Sequence, residues 1–288
     1  MRLALAAFGV SPPPSFAAFM TRIDRLAAQA SLGGADLLAL PEYAAMVLAG
    51  ASITAPDVEI EIATVTAQAD AFIAALRDIA MRHGLYVLGG SLPMRSAQAI
   101  YNRAPFIGPT GIIGFQDKQC MTRFEAEHWT ITGGAPPCVF RTAHGLIGVS
   151  ICYDSEFPLH VRAQITAGAK LILVPSTTEA EAGFNRVRLS ARARAIENQC
   201  FIATIPLVGH APWSAIIDAN HGYPALFTPC DHGFPPNGVA AMGALNEPSL
   251  LFATADLTAI DRIRADGGVL NHRDWPVAIP PAPIIDLG

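Results

Sequence analysis

Lysine is almost absent from this chain. Of its 19 basic side chains only two, at positions 118 and 170, are lysine, and the rest are arginine. Where arginine has taken nearly every basic position, a surviving lysine raises the question of what a guanidinium could not do there. A compact ammonium on a flexible stem can titrate and reach one developing charge, which the planar guanidinium fork does not do in the same way. Two survivors can equally be an accident of composition, so Lys118 enters only as a candidate.

Charge of either sign is scarce too, at 15% of residues with a formal balance of −5. The missing basic excess argues against nucleic acid as a partner. An apolar content of 51% excludes disorder and leads us to expect a large core. Part of that apolar surface is expected between subunits, in a homodimer or a higher homo-oligomer. The chain has no run of the roughly 18–20 apolar residues that a membrane-spanning helix needs. Its five cysteines (120, 138, 152, 200 and 230) are odd in number and contain no C-x-x-C pair. That excludes a regular disulfide framework and fits reduced thiols in the cytoplasm. The apolar residues 3–10 after Arg2 run into Pro12-Pro13-Pro14 with no small-residue cleavage site, so we read a first strand there rather than a leader.

What the chain does contain is an alternation of short apolar strands and helical stretches. Strands are expected at 3–8, 37–40, 85–89, 139–141, 146–151, 171–174, 201–205 and 250–255. Helices are expected at 15–32 with a Ser15 cap, and at 65–82, 159–167 and 186–198. Residues 100–107 and 111–116 flank Gly108-Pro109-Thr110 and read as a hairpin, 117–136 as a long loop, and the last third as irregular. Residues 34–41 (GADLLALP) echo residues 168–175 (GAKLILVP), which predicts two related halves, each with helices against a sheet. No linker separates them. We expect one domain over residues 1–288, with the proline-rich tail 267–288 at a subunit interface.

The echo places Glu42 and Ser176 equivalently, just past the carboxyl ends of two strands, where α/β sheets bind ligands. Cys152 is expected to end a third strand and to open the turn Tyr153-Asp154-Ser155-Glu156-Phe157-Pro158. A strand turning sharply into a helix presents its turn residue together with free backbone N–H groups, the geometry of a nucleophile. A buried structural thiol is the alternative, since free cysteine is among the most buried residue types. A nucleophilic thiol needs a base because its ordinary pKa is about 8.5. None of the eight histidines has a context that singles it out, and Glu42 in Leu40-Pro41-Glu42-Tyr43 stands out more. The alternative for a lone glutamate is a solvated loop acid or a helix cap.

Taken together, Leu-Pro-Glu-Tyr at 40–43, Asp-Lys at 117–118, Ile-Cys-Tyr-Asp-Ser-Glu-Phe-Pro at 151–158 and the segment 192–198 resemble the carbon–nitrogen hydrolase (nitrilase-like) superfamily. The resemblance covers nearly the whole chain. It implies a four-layer α-β-β-α sandwich and a hydrolase cleaving a non-peptide C–N bond, most simply the linear amide of a small molecule. It also implies roles: Glu42 as general base, Cys152 as the nucleophile that forms a thioester, and Lys118 with the Tyr153 backbone N–H as the oxyanion site. A second glutamate is implied between the lysine and the cysteine. Glu125 fits that place best, with Glu127 as the alternative, and a solvated acidic loop is the reading in which neither serves. The alternatives for the whole chain are an N-carbamoyl amidohydrolase, a nitrilase, or a catalytically silent binder of a small molecule or protein.

Two departures stand out. Cys120 replaces a histidine that the family often carries, and Glu156 replaces an arginine, so substrate preference does not transfer from better-known branches. Loop position suggests Tyr43, Phe124, Trp129, Tyr153, Glu156, Thr177, Thr178 and residues 207–237 as substrate contacts, with His128 shaping the loop or the wall. No cofactor is expected. No metal is expected either, since the spacing of His221, Cys230 and His232 fits no common zinc site. The pairs Gly89-Gly90 and Gly133-Gly134 lack the context of a phosphate loop.

Overall fold

In the computed structural model of the chain, residues 1–53, 55–97, 99–276, 282, 284 and 285 are described. The first half runs β1 (Arg2–Gly9), α1 (Phe16–Leu32), β2 (Leu37–Leu40), α2 (Val58–His83), β3 (Tyr86–Gly89), β4 (Leu92–Ser96), β5 (Ala99–Ile107), β6 (Ile113–Asp117) and α3 (Arg123–Glu127). The second half runs β7 (Val139–Thr142), β8 (Gly145–Val149), α4 (Pro158–Thr166), β9 (Leu171–Ser176), α5 (Glu181–Asn198) and β10 (Phe201–His210). Short strands β11 (Ala219–Asn220), β12 (Ala225–Phe227), β13 (Val239–Met242) and β14 (Ser249–Thr254) follow, then α6 (Leu257–Asp266) and α7 (Asn271–Asp274).

The main strand order is β4-β5-β3-β2-β1-β10-β9-β8-β7. β14 pairs antiparallel with β1 from Arg2 to Ala7, so β10 meets β1 only at Phe8↔Leu207 and Gly9↔Val208. The sheet therefore folds over at that junction, and its two wings face each other. Successive side chains on a strand point to opposite faces. Ala4, Ala6, Phe8, Leu38 and Leu40 pack with Phe19, Ile23 and Phe72 of α1 and α2. Leu3, Leu5, Leu37 and Ala39 pack toward Ile147, Leu171 and Leu173 of the other wing. Both faces are covered, which is why these strands read as continuous apolar runs. Phe106 on β5 meets Phe140 on β7 across the interior at 4.9 Å between ring centroids. Val161 and Ile165 of α4 and Val187 and Ala191 of α5 extend the same core on the far side. The result is an α/β fold of four layers, helix–sheet–sheet–helix, as the resemblance implied.

Ser15 caps α1 by accepting a hydrogen bond from the Ala18 N–H at 3.2 Å. The expected hairpin is β5–β6. Several expectations need correcting. α2 begins at Val58, seven residues before the expected start, because Asp57 caps it and Glu59 and Glu61 occupy its positive N-terminal end. The supposed loop at 117–136 holds α3, started by a capping box between Thr122 and Glu125. The irregular last third contains α6, capped by Asp256. Cys152 does not end a strand: β8 stops at Val149, and Cys152 opens a 3-10 turn, Cys152–Glu156. Of the tail expected at a subunit interface, residues 277–281, 283 and 286–288 lie outside the described residues.

Candidate active site

β2 delivers Glu42 to the seam between the two wings. Gly90 packs so close beneath that a Cβ there would lie 2.2 Å from the Pro41 carbonyl oxygen, and its φ of +72° is one that side chains rarely adopt. Glu42 is 1% exposed. Its Oε1 accepts from Lys118 Nζ at 2.8 Å and from Asn102 Nδ2 at 3.0 Å, and its Oε2 from the Thr177 backbone N–H at 2.9 Å. Every bond that holds this carboxylate comes from a residue at least sixty positions away.

Lys118 follows the last residue of β6 and is equally buried. Its Nζ also donates to Glu125 Oε1 at 2.8 Å and Oε2 at 2.7 Å, so the ammonium lies between two carboxylates. Glu125 is fixed in turn by the Tyr43 hydroxyl at 2.8 Å, Asn102 Nδ2 at 3.2 Å, and the Thr122 N–H and hydroxyl, each at 2.9 Å. Glu127 points the other way and pairs with Arg123 at 2.9 Å on the surface. Of the two glutamates, Glu125 joins the cluster around Lys118 and Glu127 does not.

Cys152 has φ 48°, a left-handed conformation that is unusual for a residue with a side chain. The turn that holds it is braced from two sides. Ser155 Oγ donates to the Cys152 carbonyl at 2.6 Å, and Arg194 on α5 donates to the carbonyls of Ser155 and Glu156, each at 3.1 Å. The Cys152 thiol donates to the Thr177 carbonyl at 3.6 Å. Among the described residues the Tyr153 backbone N–H has no protein acceptor, which leaves a donor beside the sulfur.

Burial pushes the Cys152 thiol well above its usual range, and the neighbouring Glu42 charge adds to this while Lys118 opposes it. Burial likewise raises the Glu42 carboxyl, against the pull of Lys118. Glu125 is held low: burial would raise it, but Lys118 and its hydrogen-bond donors outweigh that. Burial also opposes the Lys118 charge, yet the charges of Glu125, Glu42 and Cys152 together lift it well above the ordinary ammonium value. Chemically, this is a cation fixed beside a thiol that burial keeps protonated and a carboxylate whose own proton affinity burial has raised. Glu42 and Cys152 are each among the groups that shift the other.

These groups form one end of a cavity of about 730 Å³. Cys152 is 5% exposed, and that exposure is to the cavity. All seven residues singled out by loop position, Tyr43, Phe124, Trp129, Tyr153, Glu156, Thr177 and Thr178, lie on the wall. Of the region 207–237 only Ala215, Ile216, Asp218 and Ala219 reach it. Cys120 and His128 are not on the wall. No group of three His, Cys, Asp or Glu residues could hold a metal ion among the described residues. The His221 ring Nδ1 instead lies 3.2 Å from Asn246 Nδ2, and its backbone N–H donates to the Thr178 carbonyl. A second cavity, of about 310 Å³ beside Arg2 and Phe252, holds none of these groups.

Two residues that join this cluster, Asn102 and Ser91, were given no place at the site from the sequence, and Arg194 was met only within the segment 192–198 that carries the resemblance, with no role of its own. Asn102 bridges Glu42 and Glu125, and its backbone carbonyl accepts the Lys118 N–H at 2.8 Å. Ser91 Oγ accepts the Tyr43 N–H at 3.2 Å, across a turn where Tyr43 has φ 55°. A buried polar residue in the middle of an apolar strand, as Asn102 is on β5, was the available clue.

A family model described as carbon–nitrogen hydrolase matches residues 4–222. The chain is 29% identical over 261 residues to the probable hydrolase YhcX of Bacillus subtilis, covering 90% of this chain and 50% of that protein, so it spans half the length of that relative. It is 26% identical over 289 residues to a deaminated glutathione amidase of Synechocystis, covering 93% of this chain and 97% of that protein. Among solved structures it is similar to a variant of an amidase from Nesterenkonia sp. AN1 with acrylamide added at the active-site cysteine. That likeness has a TM-score of 0.72 and 26% identity, over 96% of this chain and 100% of the other.

Proposed function

Since this chain belongs to the carbon–nitrogen hydrolase family, we propose that it hydrolyses the linear amide of a small molecule through a thioester on Cys152. The observation that carries the reading is Lys118 Nζ, held within 2.8 Å of both Glu42 and Glu125 at the end of the cavity that Cys152 faces. The two halves act as one domain in this reading, because Glu42 belongs to the first and Cys152 to the second.

In the first step Glu42 takes the thiol proton and the sulfur attacks the amide carbon. The carbonyl oxygen becomes an oxyanion between Lys118 Nζ and the Tyr153 N–H. One such donor is typically worth about 2.7–4 kcal/mol of barrier. Collapse of the tetrahedral species breaks the C–N bond, and the leaving amine takes the proton that Glu42 holds. Water then enters, gives a proton to Glu42 and attacks the thioester. The second collapse releases a carboxylic acid, and the proton returns to sulfur. Glu125 keeps Lys118 charged and in place throughout. Its carboxylate, held low by the ammonium and four donors, does not compete for the thiol proton.

The test is ammonia release from a panel of primary amides, N-carbamoyl compounds and nitriles, with intact-mass measurement during turnover. We expect turnover on an amide and a transient mass increase equal to its acyl group, both absent from Cys152→Ala. Turnover confined to carbamoyl compounds or nitriles would move the substrate class while keeping the nucleophile. No turnover on any class, with Cys152 no more reactive than an ordinary thiol, would favour a silent binding protein.

A further inference from the structure

We propose that Asp154 is a positioning residue that locks the segment carrying Lys118 to the turn carrying Cys152, so that ammonium and sulfur stay in register for the reaction. This rests on the amidase reading above and adds to it a group that touches neither substrate nor reacting atoms.

Asp154 lies two residues after Cys152 in the 3-10 turn and is fully buried. Its carboxylate does not bond its own turn. Both oxygens reach across to the chain that leaves β6: Oδ1 accepts from the Cys120 N–H at 2.7 Å, and the two oxygens accept from the Gln119 N–H at 3.2 and 3.1 Å. Those amides belong to the two residues directly after Lys118. Lys118 is tied to the other side by its own N–H, which donates to the Asn102 carbonyl at 2.8 Å. Among the described residues, every hydrogen bond that joins residues 118–120 to the turn 152–156 ends on Asp154. A buried carboxylate that accepts from two adjacent backbone amides forms charge-assisted bonds, stronger and stiffer than neutral ones.

The surroundings support the same role. Lys118 and Cys120 face Asp154 from the segment after β6, Glu125 from α3 and His160 from α4. His160 Nε2 lies 3.6 Å from Asp154 Oδ2, and Nδ1 lies 3.1 Å from Ser150 Oγ. Burial holds His160 down to about 4 and raises Asp154 to about 6, which works against an ion pair between them. Near neutral pH a neutral imidazole backs an anionic Asp154. Below about 6 the carboxyl takes a proton and becomes a poorer acceptor for the two amides.

The experiment compares wild type with Asp154→Asn, which keeps the shape but sets an NH2 group against a backbone donor. Two readouts are taken: kcat and KM on whichever amide the wild type turns over, per alkylatable Cys152, and the rate of Cys152 alkylation by iodoacetamide, which needs no substrate. We expect kcat to fall on the order of 10²-fold with KM changed by less than about threefold, since displacements near 1 Å cost that much. We also expect alkylation at neutral pH to slow by about tenfold as Lys118 drifts from the thiol. In wild type the acid limb of kcat is expected near pH 6, and in the variant it is displaced. A purely structural role would reduce the folded fraction and leave kcat per active site within about twofold, which overturns the proposal. Should the variant not fold, a wild-type kcat that stays flat down to about pH 5 overturns it equally. A wild type that hydrolyses no amide sinks the amidase reading alone, and the alkylation rates still judge Asp154.

Discussion

Thr177 holds Glu42 at both ends: its backbone N–H donates to Glu42 Oε2 at 2.9 Å, and its hydroxyl donates to the Glu42 main-chain carbonyl at 2.8 Å. Glu42 follows β2 and Thr177 follows β9, strands that carry the two copies of the internal echo. The pseudo-related halves therefore meet through equivalent strand ends, and the second half orients the proposed base supplied by the first. Thr177→Val removes the hydroxyl and keeps the N–H. It should cost about 1 kcal/mol of stability and lower kcat by no more than roughly tenfold, measured by urea unfolding and steady-state kinetics.

Lys118 is the charge on which the cluster depends. Lys118→Met removes the proposed oxyanion donor and should lower kcat by on the order of 10²–10³. It also leaves two buried carboxylates facing each other without a counter-charge, so a stability loss of about 3–5 kcal/mol is expected. Lys118→Arg should not restore activity, because a planar fork cannot occupy the place of a compact ammonium between Glu42 and Glu125.

Glu125 and Glu127 lie on the same short helix and separate cleanly. Glu125→Gln removes a full charge beside Lys118 and should reduce kcat at least about tenfold, with a lowered Lys118 pKa. Glu127→Gln breaks only an exposed pair with Arg123, and its activity and melting temperature should match wild type within error. Equal losses in the two variants would contradict this assignment.

Acid sensitivity should be divided between Asp154 and His160. Burial lowers His160 from 6.5 to about 4, so the unfolded chain takes this proton first and the residue costs stability as pH falls from about 6.5 to about 4. Burial raises Asp154 from 3.8 to about 6, so the folded chain takes that proton first and stability is gained across the same window. Each effect is about 3 kcal/mol and they oppose. Between pH 7 and 4.5, His160→Gln should therefore gain stability relative to wild type and Asp154→Asn should lose it. Urea unfolding at several pH values checks both slopes.

Covalent catalysis carries its own expectation. Cys152→Ser should lower kcat by about 10⁴ or more, in line with nucleophile replacements elsewhere. The fold should be retained, because serine is slightly smaller and the turn is held by Ser155 and Arg194 rather than by the sulfur.

Much of this protein could be read along the chain, because much of it is local. The strands covered on both faces show as apolar runs, Ser15 caps its helix from three residues away, and the echo at 34–41 and 168–175 announces two halves. Glu42, Lys118 and Cys152 stood out by residue type and setting. The start of α2, the helix α3 and the end of β8 escaped because polar first turns and left-handed residues look like loop in one dimension. What needed three dimensions was every choice between chemically equal candidates. Glu125 and Glu127 differ only in which face of one helical turn they occupy, and that face has meaning only once Lys118 stands opposite. Asn102 is an ordinary polar residue until the pairing of the first half's strands brings Glu42, Lys118 and Glu125 around it. Asp154 is one until the sheet folds over at β1 and β10, because its partners Gln119 and Cys120 belong to the other half.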